Sequence, residues 1–188
     1  MKKYYFIFLI LFGCNDSRKI NAYRDFSNEI SAEVNSQFLI NDKQINESDI
    51  MHIRYPYSIE AEGFCGVFIG KSYSKDEYDK KVLKIQKEYK EIIPSRDNCI
   101  KYIPNENINS CNLCNEKILP NVNDSLIIPK NYLSKNIFFF IKNEMKGIYL
   151  KEKYDKYFKS NQNIYHGYSI GVVIDNDKKT IIDWLIIK

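Results

Sequence analysis

The sequence predicts an α+β protein: an antiparallel sheet of about five to seven strands, with a long amphipathic helix (about 75–93) packed on one face. Three observations carry this prediction. Residues 51–59 alternate between apolar and polar side chains, as a half-buried strand does. Residues 74–93 join a capping box to an apolar stripe of helical spacing. Near the end of the chain, two apolar segments flank a polar turn, which is typical of a β-hairpin.

The first predicted helix covers residues 20–34. Its apolar side chains recur every three or four positions, as one face of a helix requires: Ile20, Tyr23, Phe26, Ile30 and Val34. The strand at 51–59 contains Pro56, which predicts an edge position or a bulge because proline donates no hydrogen bond to a neighbouring strand. Residues 61–63 form a turn into a second strand at 64–69, the expected hairpin partner.

The central helix begins at Ser74, where Glu77 completes the capping box, and Pro94 ends it. Its apolar stripe contains Tyr78, Val82, Ile85, Tyr89 and Ile92. A short strand is predicted at 99–103, followed by a long loop with fragments of structure over 104–135. Residues 137–141 form a further strand with 147–150 as its candidate partner, and 151–159 fit a helix or a loop equally well.

The C-terminal hairpin pairs strands at 165–174 and 180–187 around a five-residue turn, so that Ile174 faces Thr180. Trp184 lies on the same face of its strand as Ile182 and Ile186, which indicates a role in core packing. Residues 20–188 thus form one domain of about 170 residues, a normal size for a single domain.

The first fourteen residues carry a different signal. Lys2 and Lys3 precede nine apolar residues, and Gly13 and Cys14 follow. A basic start, an apolar middle and a small residue at the cleavage site are the parts of a secretory signal. The apolar run is too short for a membrane-spanning helix, which needs about 20 residues. An ordinary secreted protein with a chance cysteine is the alternative.

This segment resembles the signal peptide of bacterial lipoproteins, whose lipobox ends Leu-x-Gly-Cys. Leu11, Gly13 and Cys14 match that pattern, and the bulky Phe12 departs from it. The resemblance implies that residues 1–13 are removed, that Cys14 carries the lipid (palmitate among its acyl chains), and that 14–19 form a polar tether. It places the protein on a membrane of the cell envelope, periplasmic or outer-membrane side, and Asn15 resembles the pattern for transport to an outer membrane.

Charge and compartment together exclude nucleic acid as a partner. The whole chain has a formal net charge of +4, but loss of Lys2 and Lys3 leaves 26 basic and 24 acidic side chains. No basic run with interleaved glycine is present. The expected partners are therefore the membrane, through the lipid on Cys14, and possible protein partners in the envelope.

The remaining cysteines favour two disulfides, because exported chains with an even cysteine count commonly form them. The preferred pairing is Cys65 with Cys99 and Cys111 with Cys114, although four cysteines allow three pairings. The spacing of Cys111 and Cys114 also fits a thiol-disulfide oxidoreductase. A zinc site built from all four cysteines is not favoured, because Cys65 and Cys99 do not form a second closely spaced pair of ligands.

No catalytic, metal or cofactor site is predicted. A catalytic dyad of His166 and Asp183 is not expected, because the predicted register of the hairpin keeps the two residues apart. It places His166 opposite Lys188 and Gly171 opposite Asp183. His52 and the carboxylates Glu60 and Glu62 fit solvated positions on the predicted strands. Asp175 and Asp177 fit turn chemistry better than calcium binding, which needs more ligands.

The aromatic content leaves a binding role as the main expectation. Of 27 aromatic residues, 15 are tyrosines, and several fall outside the apolar stripes: Tyr73, Tyr154, Tyr157 and Tyr168. Tyrosine is enriched at interfaces, while an A/T-rich genome would raise its frequency equally well. The sequence thus predicts a non-enzymatic, lipid-anchored binding protein. The alternatives are an immunity-type protein against an envelope-targeted toxin and a thiol-disulfide oxidoreductase that uses Cys111 and Cys114. A concave surface patch where exposed tyrosines converge would be the expected binding site.

Overall fold

The computed structural model describes residues 17–38, 40–59, 63–92, 100–103, 117–147, 149–151, 153–154 and 167–188. The helices in these ranges are α1 (17–29), α2 (Ala32–Gln37), α3 (Asp42–Asn46) and α4 (Lys75–Glu88), with a 3₁₀ turn at Pro56–Ser58. The strands are β1 (Asp49–Arg54), β2 (Cys65–Ser72), β3 (Lys90–Ile92), β4 (Ile100–Ile103), β5 (Lys117–Pro120), β6 (Ile137–Lys146), β7 (Gly167–Asp175) and β8 (Thr180–Ile187).

Six of these strands form one antiparallel sheet in the order β1-β2-β8-β7-β6-β3. The predicted class, an antiparallel sheet with helices, is confirmed. β1 lies at one edge and pairs with β2, as the sequence predicts. Pro56 follows β1 at this edge, where its missing N–H costs no sheet hydrogen bond. β1 is shorter than the predicted 51–59 because the chain turns into a 3₁₀ helix there.

The predicted helix over 20–34 is interrupted at Ile30. This residue forms an isolated β-bridge with Leu150, and the Ser31 N–H donates to the Tyr149 carbonyl at 2.9 Å. Ser31 then caps α2 by accepting from Val34. The predicted apolar face is nevertheless buried at Tyr23, Phe26, Ile30 and Val34. Residues 17–19, assigned to the tether, are helical.

Helix α4 begins as predicted, with Ser74 and Glu77 forming the capping box. It ends at Glu88 rather than at 93, because Lys90–Ile92 pair with β6 as an edge strand. This pairing places Ile92 opposite Phe139 and buries it. Tyr78 and Ile85 of α4 belong to a buried cluster with four sheet residues: Phe140, Val172, Ile174 and Ile181.

One pairing predicted for the middle of the chain is wrong. Residues 147–150 do not pair with 137–141: β6 runs on to Lys146 against β7, and Leu150 bridges to Ile30. Within the long loop predicted over 104–135, the short strand β5 pairs in parallel with β4. β5 forms because Ile118 and Leu119 are fully buried, and because the Glu144 carboxylate accepts the Ile118 N–H at 3.1 Å.

The C-terminal hairpin has a four-residue turn, so the predicted register is wrong by one position. Asp175 rather than Ile174 faces Thr180, and Val172 rather than Gly171 faces Asp183. The Asp175 carboxylate shortens the turn, because it accepts the N–H groups of Asp177 and Lys178 at 2.9 and 3.0 Å. Lys179 completes the turn with a φ of 54°.

The two faces of the sheet bury separate clusters. Trp184 is fully buried, with Ile182 and Ile186 in the same cluster, so its predicted core role is confirmed. Its indole N–H donates to Ser169 Oγ at 3.3 Å, and that hydroxyl donates to the Ile118 carbonyl at 2.8 Å. On the other face, apolar side chains of β2, β7 and β8 form a cluster with residues of α1–α3. A second cluster on this face joins Tyr78 and Ile85 with side chains of β6, β7 and β8.

Candidate binding groove

A groove of about 640 Å³ lies on the sheet face that carries Asp183. Its floor comes from β2, β7 and β8, and its two walls come from residues 37–48 and from α4 with Tyr89. We call it the Asp183 groove. The floor is mainly aliphatic, with Ile69, Ile170, Val172 and Ile181. Polar and charged side chains line the rest: Gln37, Gln44, Glu47, Ser48, Lys71, Tyr73, Glu77, Lys80, Lys81, Lys84, Glu88, Tyr89, Lys142 and Asp183.

Asp183 is the unusual member of the floor. Side chains alternate along a strand, so Asp183 shares its face of β8 with Ile181, Leu185 and Ile187. Its cross-strand neighbours are Ile69 on β2 and Val172 on β7. The residue is only partly exposed. Among the residues that the structure describes, none forms a hydrogen bond or an ion pair with the Asp183 carboxylate.

The surroundings of Asp183 shift its own pKa and the pKa values of two nearby tyrosines. Burial raises the pKa of the Asp183 carboxyl to about 6, although the positive charges of Lys81 and Lys142 act to lower it. Burial also raises the pKa values of Tyr73 and Tyr89 to about 12, and the negative charge of Asp183 adds to both. Both phenols therefore stay neutral at physiological pH and can donate or accept hydrogen bonds.

Some charges of the groove are already paired. Lys71 contacts Glu47 at 2.7 Å, and Lys84 lies 4.0 Å from Glu88. Glu77 accepts from the Ser74 hydroxyl at 2.8 Å as part of the α4 capping box. The cations left over are Lys80, Lys81 and Lys142, none of which pairs with a carboxylate of the described residues; Lys142 does donate to the Gln37 carbonyl at 2.9 Å.

Two tyrosines, Tyr73 and Tyr89, line the groove, which is the concave surface where tyrosines were expected. The ring of Tyr73 lies beneath two ammonium groups, Lys71 at 5.4 Å and Lys81 at 5.0 Å from its centroid. Two other tyrosines singled out in the sequence are buried instead: Tyr154 is 7% exposed and Tyr168 is fully buried. Tyr157 lies outside the described residues.

Most of the predicted disulfide and lipid positions also lie outside them, namely Cys14, Cys99, Cys111 and Cys114. Cys65 is described: its side chain is fully buried in β2, it forms no disulfide with another described residue, and burial raises its thiol pKa. Its pairing with Cys99 stays a prediction, as do the cleavage after residue 13 and the redox role of Cys111 and Cys114.

The two histidines do not contribute to the groove lining that the structure describes. His52 is on the edge strand β1 with its ring centroid 6.5 Å from that of Phe68. His166 lies outside the described residues, as do Glu60 and Glu62. Asp175 and Asp177 act in the hairpin turn, and no group of three metal-ligating side chains occurs within the described ranges.

Comparisons with known proteins identify no relative. No protein-family model, no curated protein and no solved structure matches the chain. In the described part of the chain, no helix has the length and apolar character needed to cross a bilayer.

The sequence of β8 contains a signal for this groove. β8 reads Thr-Ile-Ile-Asp-Trp-Leu-Ile-Ile, so a single carboxylate interrupts an otherwise apolar strand. A charged residue at a core position is destabilising unless it is paired, and proteins commonly retain such a residue where a function requires it. The lysines and tyrosines that surround Asp183 come from other elements, and their positions in the sequence gave no comparable signal.

Proposed function

We propose that this chain is a lipid-anchored protein of the bacterial cell envelope that binds a ligand in the Asp183 groove and catalyses no reaction. The anchor rests on the resemblance of residues 11–14 to a lipobox. The groove supports the binding role, since about 640 Å³ is within the usual range of small-molecule sites. The lining offers an acceptor, two phenols and several ammonium groups, which hold a ligand through hydrogen bonds and charge.

The observation that carries the proposal is the Asp183 carboxylate on an aliphatic floor, with no ion pair or hydrogen bond to any described residue. A partly buried carboxylate without protein partners costs free energy when it is ionised, and that cost is commonly retained where a function requires it. A ligand that supplies the missing partners would offset this cost. Asp183 therefore marks where the ligand sits.

The anchor is tested by metabolic labelling with a palmitate analogue in the native host. The wild-type chain should incorporate label, and Cys14→Ala should not, because only Cys14 occupies the lipobox position. Cys65→Ala is the matched control and should label as the wild type does. Equal labelling of Cys14→Ala and wild type would contradict the anchor.

The binding role is tested by placing a photo-crosslinking amino acid in α4. Lys84 lines the groove, whereas Lys87 is equally exposed but does not line it. After irradiation of intact cells, the mass of the purified protein should show an adduct for the probe at 84 and none for the probe at 87. The same adducts at both positions, or none at either, would contradict ligand binding in the groove.

A further inference from the structure

The unpaired charges of the Asp183 groove are mostly positive. Lys71 and Lys84 have carboxylate partners, while Lys80, Lys81 and Lys142 have none among the described residues. These three come from α4 and from β6, so they approach the groove from different sides. Against them stand two carboxylates without an ammonium partner in the described part of the chain, those of Asp183 and Glu77, and Glu77 accepts hydrogen bonds from Ser74 instead. The three lysines therefore favour a ligand that brings negative charge.

Asp183 opposes such a ligand while it is ionised. Its carboxylate lies on the apolar floor, where two negative charges would repel each other more strongly than in water. Protonation removes the repulsion and turns the carboxyl into a hydrogen-bond donor toward an anionic oxygen. The groove is therefore complementary to an anion when Asp183 carries a proton.

We infer that the Asp183 groove binds a small organic anion, with Lys80, Lys81 and Lys142 around its negative group, and that Asp183 takes up one proton from solvent on binding. This inference rests on the proposed binding function and names the class of its ligand. The groove volume exceeds what a single phosphate would fill and suits an anion of about disaccharide size.

Four other groups around Asp183 have pKa values shifted away from neutrality. Hydrogen bonds from Lys71 and from Ser74 lower the pKa values of Glu47 and Glu77, and burial raises those of Tyr73 and Tyr89 to about 12. The remaining charged groups of the lining are Glu88 and the lysines Lys71, Lys80, Lys81, Lys84 and Lys142. The Asp183→Asn variant assigns the proton taken up to Asp183.

The test is calorimetric titration of the purified full chain with a uronic-acid disaccharide, a neutral disaccharide of the same size, and inorganic phosphate. With an Asp183 pKa of about 6, the protonated fraction rises about 25-fold from pH 7.5 to pH 5.5, and affinity for the acidic disaccharide should rise by a similar factor. The neutral disaccharide should not bind, and phosphate should bind more weakly because it fills less of the groove.

Variants assign the effect to residues. Asp183→Asn should bind at pH 7.5 as tightly as the wild type does at pH 5.5 and should take up no proton. Lys81→Gln and Lys142→Gln should each weaken binding at least fivefold at pH 5.5. Lys87→Gln, outside the groove, should bind as the wild type does.

Three results would overturn the inference. They are an affinity that does not rise as the pH falls, an Asp183→Asn variant that keeps the wild-type pH dependence, and failure of both anions to bind at millimolar concentration. If the probe at Lys84 still captures an adduct in cells, the proposed binding function stands and only the ligand class fails. If neither experiment gives binding, both proposals fail.

Discussion

Asp183 shows how one residue can set the properties of a site. It occupies a position on β8 that the strand pattern reserves for an aliphatic side chain, between Ile69 and Val172. The consequence is a carboxyl group whose pKa is raised to about 6 because burial disfavours its charged form. The cost of that charge falls on the folded state alone, since the unfolded chain solvates it.

Removal of this charge should stabilise the protein at neutral pH. The carboxyl pKa is higher in the folded state than in the unfolded state, so Asp183 destabilises above pH 6 and loses this effect as the pH falls toward 4. Since a tenfold change in acidity is worth about 1.4 kcal/mol, Asp183→Asn should raise the free energy of unfolding by up to about 3 kcal/mol at pH 7.5. The gain should vanish near pH 4.

Urea denaturation of both proteins at pH 4, 5, 6 and 7.5 measures this difference. Asp175→Asn is the control for replacing an aspartate by asparagine, because the Asp175 carboxylate accepts hydrogen bonds, whereas that of Asp183 accepts none from described residues. Parallel pH profiles for the wild type and Asp183→Asn would contradict the account of Asp183 as a desolvated, unpaired carboxylate.

At the scale of elements, the C-terminal hairpin depends on one side chain. Asp175 is fully buried, and its carboxylate accepts from the Ser134 N–H and hydroxyl as well as from Asp177 and Lys178. Burial acts to raise its pKa, but these hydrogen bonds outweigh burial and hold the pKa below its ordinary value. The turn and the 134–136 loop are therefore joined through one anion.

Asp175→Ala should destabilise the protein by about 3 kcal/mol, because it leaves buried N–H groups without an acceptor. The contribution of Asp175 is complete above the unfolded carboxyl pKa and is lost as the pH falls through its lower folded value. Thermal unfolding at pH 7 and pH 3 should therefore show a large loss for Asp175→Ala at pH 7 and a smaller one at pH 3. A larger loss at pH 3 than at pH 7 would contradict this role.

The elements also show what the sequence could predict. The start of α4 was predictable because the capping box of Ser74 and Glu77 is local chemistry. Its end was not predictable, because residues Lys90–Ile92 continue the helical pattern in sequence but pair with β6, about 50 residues later in the chain. The hairpin register failed for a related reason: the turn length depends on the Asp175 side chain, which a count of apolar positions does not weigh.

At the scale of the whole molecule, the groove is a product of topology. Lys81, Lys142 and Asp183 lie far apart in sequence, and only the strand order β2-β8-β7-β6 with α4 beside it brings them to one place. The sequence predicted the class of sheet and most of its strands, because alternation and turn residues are local, but it missed β3 and β5. It could not predict their order, and so it could not predict which charged groups share a site.

The central claim is that Asp183 is an unpaired carboxylate on the floor of a binding groove. The most direct test follows the ¹³C resonance of its carboxyl carbon as a function of pH, assigned by comparison with Asp183→Asn. We expect a midpoint of about 6 for the free protein, moving to higher pH when the acidic disaccharide is bound. A midpoint near the ordinary aspartate value of about 3.9, unchanged by the disaccharide, would contradict the claim.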